Sequence, residues 1–147
     1  MAGVIDTNVL LYAANRNAAR HERAFSFLID AGRSSSTWYL TDGIVYEFLR
    51  VSTHPRVFPA PLHASDAISF LHPMLSSPRF ALLSAGPRHW SLLSEVTGEL
   101  RNPSGNLFFD IRTVALMREH GVRRIYTADT DFLQFEGIDV QDPVKGR

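Results

Sequence analysis

The segment Gly3-Val4-Ile5-Asp6-Thr7-Asn8-Val9-Leu10-Leu11-Tyr12-Ala13-Ala14 decides the fold class of this chain. Gly3-Val4-Ile5 is typical of a short buried strand, and Val9-Leu10-Leu11-Tyr12-Ala13-Ala14 is typical of a helix. The polar residues between them break the strand, and Thr7 or Asn8 is a candidate helix cap. A strand that leads directly into a helix indicates the α/β class.

Strands and helices alternate along the rest of the chain. Residues 36–41, 80–83, 124–127 and 137–140 are predicted strands, and residues 18–31, 42–53, 65–75, 87–96 and 107–120 are predicted helices. Because a connection between parallel strands needs a long crossover, strands joined by helices run parallel. In such sheets ligands bind beyond the carboxyl ends of the strands. The residues that follow the strands are therefore the first candidates for a functional site.

Length and composition bound the class of protein. A chain of 147 residues has the usual size of one domain, so we expect a single domain over residues 1–147. A hydrophobic fraction of 45% and a charged fraction of 20% indicate a folded globule with a sizeable core. The formal net charge of +0 gives no strong sign of a polyanionic partner, although nearly all positive charge is carried by arginine.

Several classes of protein are excluded. The absence of cysteine rules out disulfides, thiolate metal sites and cysteine nucleophiles. No apolar run approaches the roughly 18 residues that span a bilayer, and the N-terminal segment lacks the pattern of a secretory signal. We therefore expect a cytoplasmic protein that does not associate with membranes.

Four acidic residues lie where the predicted strands end or in the helices beside them. Asp6 directly follows the first strand, and Asp129 directly follows the fourth. Glu47 lies in the helix after the second strand, and Asp110 lies near the start of the helix that leads into the fourth. A doubly wound sheet can bring these four acids to one edge although they are far apart in sequence.

Carboxylates that share a pocket repel one another. Two like charges about 4 Å apart repel by roughly 4 kcal/mol at an effective dielectric constant of about 20. Proton uptake or a divalent cation relieves the repulsion, and oxygen ligands suit Mg²⁺ or Mn²⁺ better than zinc. Such ions lower the pKa of a bound water and stabilise charge on a phosphate, so phosphodiester hydrolysis is the natural reaction class.

Each acid also has a purely structural interpretation. Asp6 is a candidate helix N-cap, and Asp110 is an acid favoured by the helix dipole. Glu47 resembles a partly exposed helix residue, and Asp129 with Asp131 resembles a turn followed by a cap. The positions of the acids taken together, rather than any one of them, indicate a site.

Four motifs, in order along nearly the whole chain, resemble those of the PIN-domain family. They are residues 6–13, residues 47–50 with 55–58, residues 110–115 with 119–121, and residues 127–132, the last having the form Thr-x-Asp-x-Asp-Phe. Gly86-Pro87-Arg88-His89-Trp90 also resembles the VapC group of this family. The resemblance implies an α/β fold, a PIN-domain-like three-layer α/β/α sandwich with a central five-stranded parallel sheet.

The resemblance also implies a function. PIN domains of the VapC type are Mg²⁺-dependent endoribonucleases, with Mn²⁺ as a substitute, that leave 5′-phosphate and 3′-hydroxyl ends. They are toxins of type II toxin–antitoxin pairs, inhibited by a VapB-type antitoxin, and they form homodimers. Carried over to this chain, the catalytic and metal-binding acids are Asp6, Glu47, Asp110 and Asp129, and the auxiliary residues are Asp131, Thr127 and Asn8.

The substrate implied is RNA, and transfer, ribosomal and messenger RNA are all candidates. Arg50, Arg56 and Arg112 lie in or near the acidic segments and are candidates for phosphate contacts, although each is also typical of a solvated surface arginine. The main alternative function is a catalytically silent PIN fold that binds RNA or regulates a partner. Five aromatic residues are assigned to the core rather than to base stacking, namely Trp38, Phe48, Trp90, Phe108 and Phe109.

Two other enzyme classes fit less well. A haloacid-dehalogenase-type phosphatase needs a second acid in the position that Asn8 holds after the first strand. A phosphoacceptor receiver domain needs a basic residue near the end of a late strand, and Lys145, the only lysine, lies in the tail.

Overall fold

The computed structural model describes residues 2–145, and its strands form one parallel sheet. The strands are β1 (Val4–Ile5), β2 (Trp38–Thr41), β3 (Phe80–Leu83), β4 (Arg124–Tyr126) and β5 (Asp139–Gln141). Their order is β3-β2-β1-β4-β5, and every neighbouring pair is parallel. After β1 the chain adds β2 and β3 on one side of β1, and it then crosses back to add β4 and β5 on the other side. This reversal of strand order leaves a crevice beyond the carboxyl ends of β1 and β4.

In the part of the chain that the structure describes, six α-helices and a short 3₁₀ helix cover the sheet. They are α1 (Thr7–Ala14), α2 (His21–Arg33), α3 (Asp42–Ser52), α4 (Ala64–Leu75), α5 (His89–Gly98), α6 (Leu107–Glu119) and the 3₁₀ helix Thr130–Gln134. Helix α1 packs against α2 and α3, α3 packs against α4, and α5 packs against α6. Right-handed crossovers place these two groups on opposite faces, which gives the predicted three-layer α/β/α arrangement. Among residues 2–145, no helix combines the length and apolar character needed to cross a bilayer.

Several predicted boundaries are wrong for local reasons. Helix α2 begins at His21 rather than at residue 18, because residues 15–20 form turns, and it continues through Gly32. Helix α5 begins at His89 rather than at Pro87. Strand β5 begins at Asp139 rather than at Gly137, whose φ of 75° belongs to a turn and not to a strand.

The core lies between the sheet and the helices, and the aromatic residues divide into two sets. Trp38 and Phe48 are buried, as predicted. The core assignment of Trp90, Phe108 and Phe109 is wrong, because these side chains are exposed by 74%, 42% and 65%. In α6 the fully buried residues begin only at the second turn, so the first turn presents its rings to solvent.

Candidate active site at the carboxyl ends of β1 and β4

Asp6 follows β1 and is the N-cap of α1, which confirms one of the three candidate caps in the sequence and excludes Thr7 and Asn8. Its Oδ1 accepts a hydrogen bond from the Thr7 N–H at 2.9 Å. Its Oδ2 accepts hydrogen bonds from the Thr127 hydroxyl at 2.7 Å and from the Asn8 amide at 3.1 Å. The side chain is buried, so the capping interaction fixes a carboxylate at the crevice where the chain reverses direction.

Thr127 and Asn8 lock the ends of β1 and β4 together. The Thr127 hydroxyl accepts hydrogen bonds from the Asn8 amide at 2.9 Å and from the Asp129 N–H at 3.0 Å, while it donates to Asp6. The Asn8 side-chain oxygen accepts the Ala128 N–H at 2.9 Å. A hydroxyl has one donor and two acceptor positions, and all three are used. Two of the three residues expected to be auxiliary, Thr127 and Asn8, therefore hold Asp6 and the Asp129 backbone in one network.

Asp110, Asp129 and Asp131 form the tightest acidic cluster among the described residues. Each contributes a carboxylate oxygen, and these oxygens lie within 4.8 Å of one another. Asp110 comes from the first turn of α6, whereas Asp129 caps the 3₁₀ helix by accepting the Asp131 N–H at 2.9 Å. Asp131, expected only as an auxiliary acid, thus lies inside the cluster.

Burial and the crowding of acids both act on Asp110. Together they raise the pKa of Asp110 from 3.8 to about 7, and burial is the largest cause. The charges that contribute to this shift are those of Asp6, Asp129, Asp131 and Glu47. Above neutral pH the cluster therefore holds unbalanced negative charge, which a divalent cation would neutralise.

The pKa of Asp6 is raised from 3.8 to about 6, and the cause is mainly burial. The hydrogen bonds from Thr127 and Thr7 lower this pKa and partly offset the burial. The charges of Glu47 and Asp129 raise it. A buried, hydrogen-bonded carboxylate beside an acidic cluster matches the oxygen-only donor set that Mg²⁺ and Mn²⁺ prefer.

Helices α3 and α6 wall a pocket of about 580 Å³ that includes Asp6. The lining residues on the α3 side include Gly43, Tyr46, Glu47 and Arg50, and those on the α6 side include Asn106, Phe109, Asp110 and Thr113. In both sets, successive residues are three, one and three positions apart. Residues at this spacing lie on one face of a helix. Glu47 therefore faces the same pocket as Asp6 and Asp110. Tyr46, Asn106 and Thr113 were not predicted, although helical spacing from Glu47 and Asp110 points to them.

The three candidate arginines have different positions. Arg50 and Arg112 line the pocket, whereas Arg56 lies on the exposed proline-rich loop and does not line it. The Arg112 guanidinium donates to the Asp42 carboxylate and forms an ion pair with it. A largely exposed pair of this kind contributes about 0–1 kcal/mol, so a phosphate can compete with Asp42 for this guanidinium.

A sequence profile described as the PIN domain matches residues 3–138. This chain belongs to the PIN-domain family. The match spans β1 to β4, ends directly before β5, and includes the crevice with its acids. The family resemblance inferred from the four motifs is thereby confirmed.

Similar proteins place the chain more narrowly within the PIN-domain family. It is 32% identical over 146 residues to ribonuclease VapC48 of Mycobacterium tuberculosis, a match that covers 99% of this chain and 100% of that protein. It is 34% identical over 140 residues to ribonuclease VapC33 of the same organism, covering 95% of this chain and 96% of that protein. The chain is therefore a PIN domain of the VapC type.

Solved structures share the fold. One neighbour is VapBC2 from Rickettsia felis bound to a DNA fragment from its promoter, with a TM-score of 0.69, 16% identity, and coverage of 96% of this chain and 98% of that chain. Another is M. tuberculosis VapC20, described as a sarcin–ricin loop cleaving toxin, with a TM-score of 0.66, 17% identity, and coverage of 88% and 92%. At these identities the likeness establishes the PIN fold alone.

Proposed function

We propose that this chain, a single PIN domain over residues 1–147, is a Mg²⁺- or Mn²⁺-dependent endoribonuclease and the toxin of a type II VapBC pair. The observation that carries the proposal is the convergence of Asp6, Asp110 and Asp129 at the crevice beyond β1 and β4. The relatives VapC48 and VapC33, which the chain matches over nearly its full length, are named ribonucleases.

The acids of the crevice fit a divalent cation. Asp6, Asp110 and Asp129 would hold it, with Asp131 and Glu47 completing the donor set. When bound, the cation would supply a Lewis acid for the phosphate and a lower pKa for a water molecule. Thr127 and Asn8 keep the Asp6 carboxylate in place through the hydrogen bonds described above.

The chain's own groups would orient the reaction. Glu47 accepts a hydrogen bond from the attacking water and directs it in line at the phosphorus. A new P–O bond forms as the P–O3′ bond breaks, which leaves a 5′-phosphate on one product and a 3′-hydroxyl on the other. Arg50 and Arg112, on the two walls of the pocket, donate to phosphate oxygens.

The same proposal includes partners. The R. felis neighbour is a VapBC2 bound to promoter DNA, which supports a VapB-type antitoxin as the partner of this chain. Homodimer formation and cytoplasmic residence are further parts of the proposal, carried by the VapC resemblance. Sedimentation of the isolated chain and of its complex with the co-encoded antitoxin measures both assemblies.

A cleavage assay tests the activity. The parent protein should cut RNA with Mg²⁺ or Mn²⁺, and cleavage should stop when EDTA is added. Asp30 is an exposed acid on α2, so Asp30→Asn is the matched control for the same substitution at the acids of the crevice. RNA that is bound but never cut under any metal condition would favour the catalytically silent PIN fold.

Thermal stability gives a readout that is independent of activity. A ligand that binds only the folded state stabilises it by about 2.7 kcal/mol when present at 100 times its Kd. Millimolar Mg²⁺ or Mn²⁺ should therefore raise the Tm of the parent and of Asp30→Asn, and should raise that of Asp110→Asn much less. A Tm of the parent that does not respond to either ion contradicts the metal site.

A further inference from the structure

An aromatic residue stands directly before an acid on each wall of the pocket. Tyr46 precedes Glu47 on α3, and Phe109 precedes Asp110 on α6. All four residues line the pocket. Because successive helix residues are about 100° apart, each ring lies beside its carboxylate on the same wall rather than on the opposite side of the helix.

Both rings are accessible from solvent. Tyr46 is 71% exposed and Phe109 is 65% exposed, although each belongs to a helix whose other face is packed in the core. A large exposed apolar group makes little contribution to the stability of the fold and marks a binding surface when it adjoins a site. The two rings are therefore available to a ligand that enters between α3 and α6.

The charges in the pocket indicate how such a ligand is held. Four acids line it against two arginines, and one of those arginines is already paired with Asp42. The whole chain has a formal net charge of +0. Attraction to phosphates, which dominates most nucleic-acid binding, is therefore weak here. A neutral aromatic face binds a nucleobase without opposing charge, since every base has a π-face.

We propose that Tyr46 and Phe109 are specificity-determining residues that stack on unpaired nucleobases on the two sides of the scissile phosphate. Bases in an RNA duplex are stacked on one another and expose no face, so the two rings need an unpaired segment of the substrate. This inference rests on the proposed ribonuclease activity and adds the residues that hold the bases beside the scissile phosphate.

The neighbouring acids distinguish this assignment from protein docking. An apolar protein segment laid over both rings would also cover Glu47 and Asp110, and the burial of unpaired carboxylates is costly. Two successive nucleotides bring one base for each aromatic side chain and leave the phosphate between them at the acids, where the proposed cation would bind. The arrangement of one ring beside one acid on each wall fits a polynucleotide.

Paired RNA probes test the inference. One probe is a short single-stranded RNA, and the second has the same backbone with abasic positions. Binding is measured by fluorescence anisotropy in an Asp110→Asn background, which keeps the RNA intact, and single-turnover cleavage is measured in the parent background. The variants are Tyr46→Ala, Phe109→Ala, the conservative Tyr46→Phe and Phe109→Trp, and Trp90→Ala as a control, since Trp90 is exposed but does not line the pocket.

Each alanine variant should weaken binding of the intact RNA by roughly 5- to 150-fold, the range measured for loss of a base–aromatic stack. The same variants should bind the abasic RNA as the unsubstituted protein does. Tyr46→Phe, Phe109→Trp and Trp90→Ala should retain the preference for intact RNA. A single strand should be cut much faster than the same sequence in a duplex.

The experiment distinguishes failure of the stacking inference from failure of the proposed ribonuclease activity. A parent protein that cuts RNA while both alanine variants match Trp90→Ala overturns the stacking site and leaves the ribonuclease in place. Equal cleavage of duplex and single strand has the same meaning. Full RNA affinity with lost binding of the antitoxin assigns the rings to protein docking and overturns the inference. A parent that neither binds nor cuts RNA overturns both proposals.

Discussion

Asp6 and Asp110 carry the same functional group, and the chain holds them in opposite ways. Asp6, with Asn8 and Thr127, forms an inner half of the acidic site in which both carboxylate oxygens accept hydrogen bonds from the protein. Asp110, with Asp129 and Asp131, forms an outer half in which carboxylate oxygens face one another. Within residues 2–145 no hydrogen bond to the Asp110 carboxylate is present.

The inner half determines where a carboxylate lies, whereas the outer half determines how much negative charge the site holds. In the inner half the backbone and two polar side chains decide where the carboxylate lies, and they partly offset the effect of burial on the pKa of Asp6. In the outer half the Asp110 carboxylate accepts no hydrogen bond from the described residues, and the pKa of Asp110 rises to about 7. The fold thus fixes one acid and leaves the others to be balanced by a proton or by a cation.

Replacement of Asp6 or Asp110 by its amide has the largest expected effect and tests the difference between the two halves of the site. Asp6→Asn and Asp110→Asn should each lower the cleavage rate by at least about 100-fold, more than the loss of an outer supporting residue. Their effects on the metal-free protein at pH 8 should differ. Asp110→Asn removes repulsion and should raise the Tm, whereas in Asp6→Asn an amide N–H₂ meets the donors of Asn8 and Thr127, so its Tm should lie below that of Asp110→Asn.

Calorimetry and a single-turnover assay on the same preparations measure both effects. Asp30→Asn should match the parent in each assay. Equal activity in the parent and in both amide variants would remove Asp6 and Asp110 from the catalytic site. A lower Tm for Asp110→Asn than for the parent would contradict the repulsion assigned to the outer half.

Removal of the Thr127 hydroxyl tests the inner half alone. Thr127→Val keeps the shape but leaves the Asp129 N–H without its acceptor and removes one of the two acceptors of the Asn8 amide, which should cost about 1–3 kcal/mol of stability. Because Asp6 also loses a donor, activity should fall by roughly 10- to 100-fold. Thr127→Ser restores the hydroxyl and should recover most of both, and an equally impaired Thr127→Ser would point to packing instead.

The pH dependence of the free energy of unfolding tests the charge assigned to Asp6 and Asp110. Asp6 and Asp110 have folded pKa values of about 6 and about 7 against 3.8 as their ordinary value, so between about pH 5 and pH 7, above the range in which the acids with lowered pKa values titrate, the folded chain binds more protons than the unfolded one. Stability of the metal-free protein should therefore decrease as the pH rises through this window and then level off.

Urea unfolding at a series of pH values measures this slope, and two changes should flatten it. Asp110→Asn removes the larger contribution, and saturating Mg²⁺ replaces the protons. A stability that increases from pH 5 to pH 8 without metal would contradict the raised pKa values.

The smallest expected effect concerns the arginines of the pocket. Each phosphate contact to a single strand contributes about 0.7 to the slope of log K against log salt. Arg50→Ala should lower the slope for RNA binding by about that amount, and Arg112→Ala should lower it less because Arg112 is shared with Asp42. Arg56→Ala, outside the pocket, should leave the slope unchanged. Equal slopes for all three variants would remove the phosphate role.

Features set by the order of the chain were predictable from sequence. The acid after β1, the acid after β4 and the parallel sheet all follow from short apolar runs that end in polar residues. Features set by side-chain direction were not. Phe109 and Trp90 look like core residues in sequence, but their positions within the first turns of α6 and α5 direct the rings to solvent. The membership of Asp131 in the acidic cluster depends on how the 3₁₀ helix places it, which no spacing rule provides.

The hydrogen bond between Thr127 and Asp6 joins residues 121 positions apart. During translation the ribosome releases Asp6 early, but its partners at the end of β4 emerge only after most of the chain has been made. The acidic crevice therefore cannot be completed before β4 and the residues after it have been made. A nascent or prematurely terminated polypeptide lacks the complete set of acids, so the cell producing this protein meets the proposed toxic activity only in nearly finished molecules.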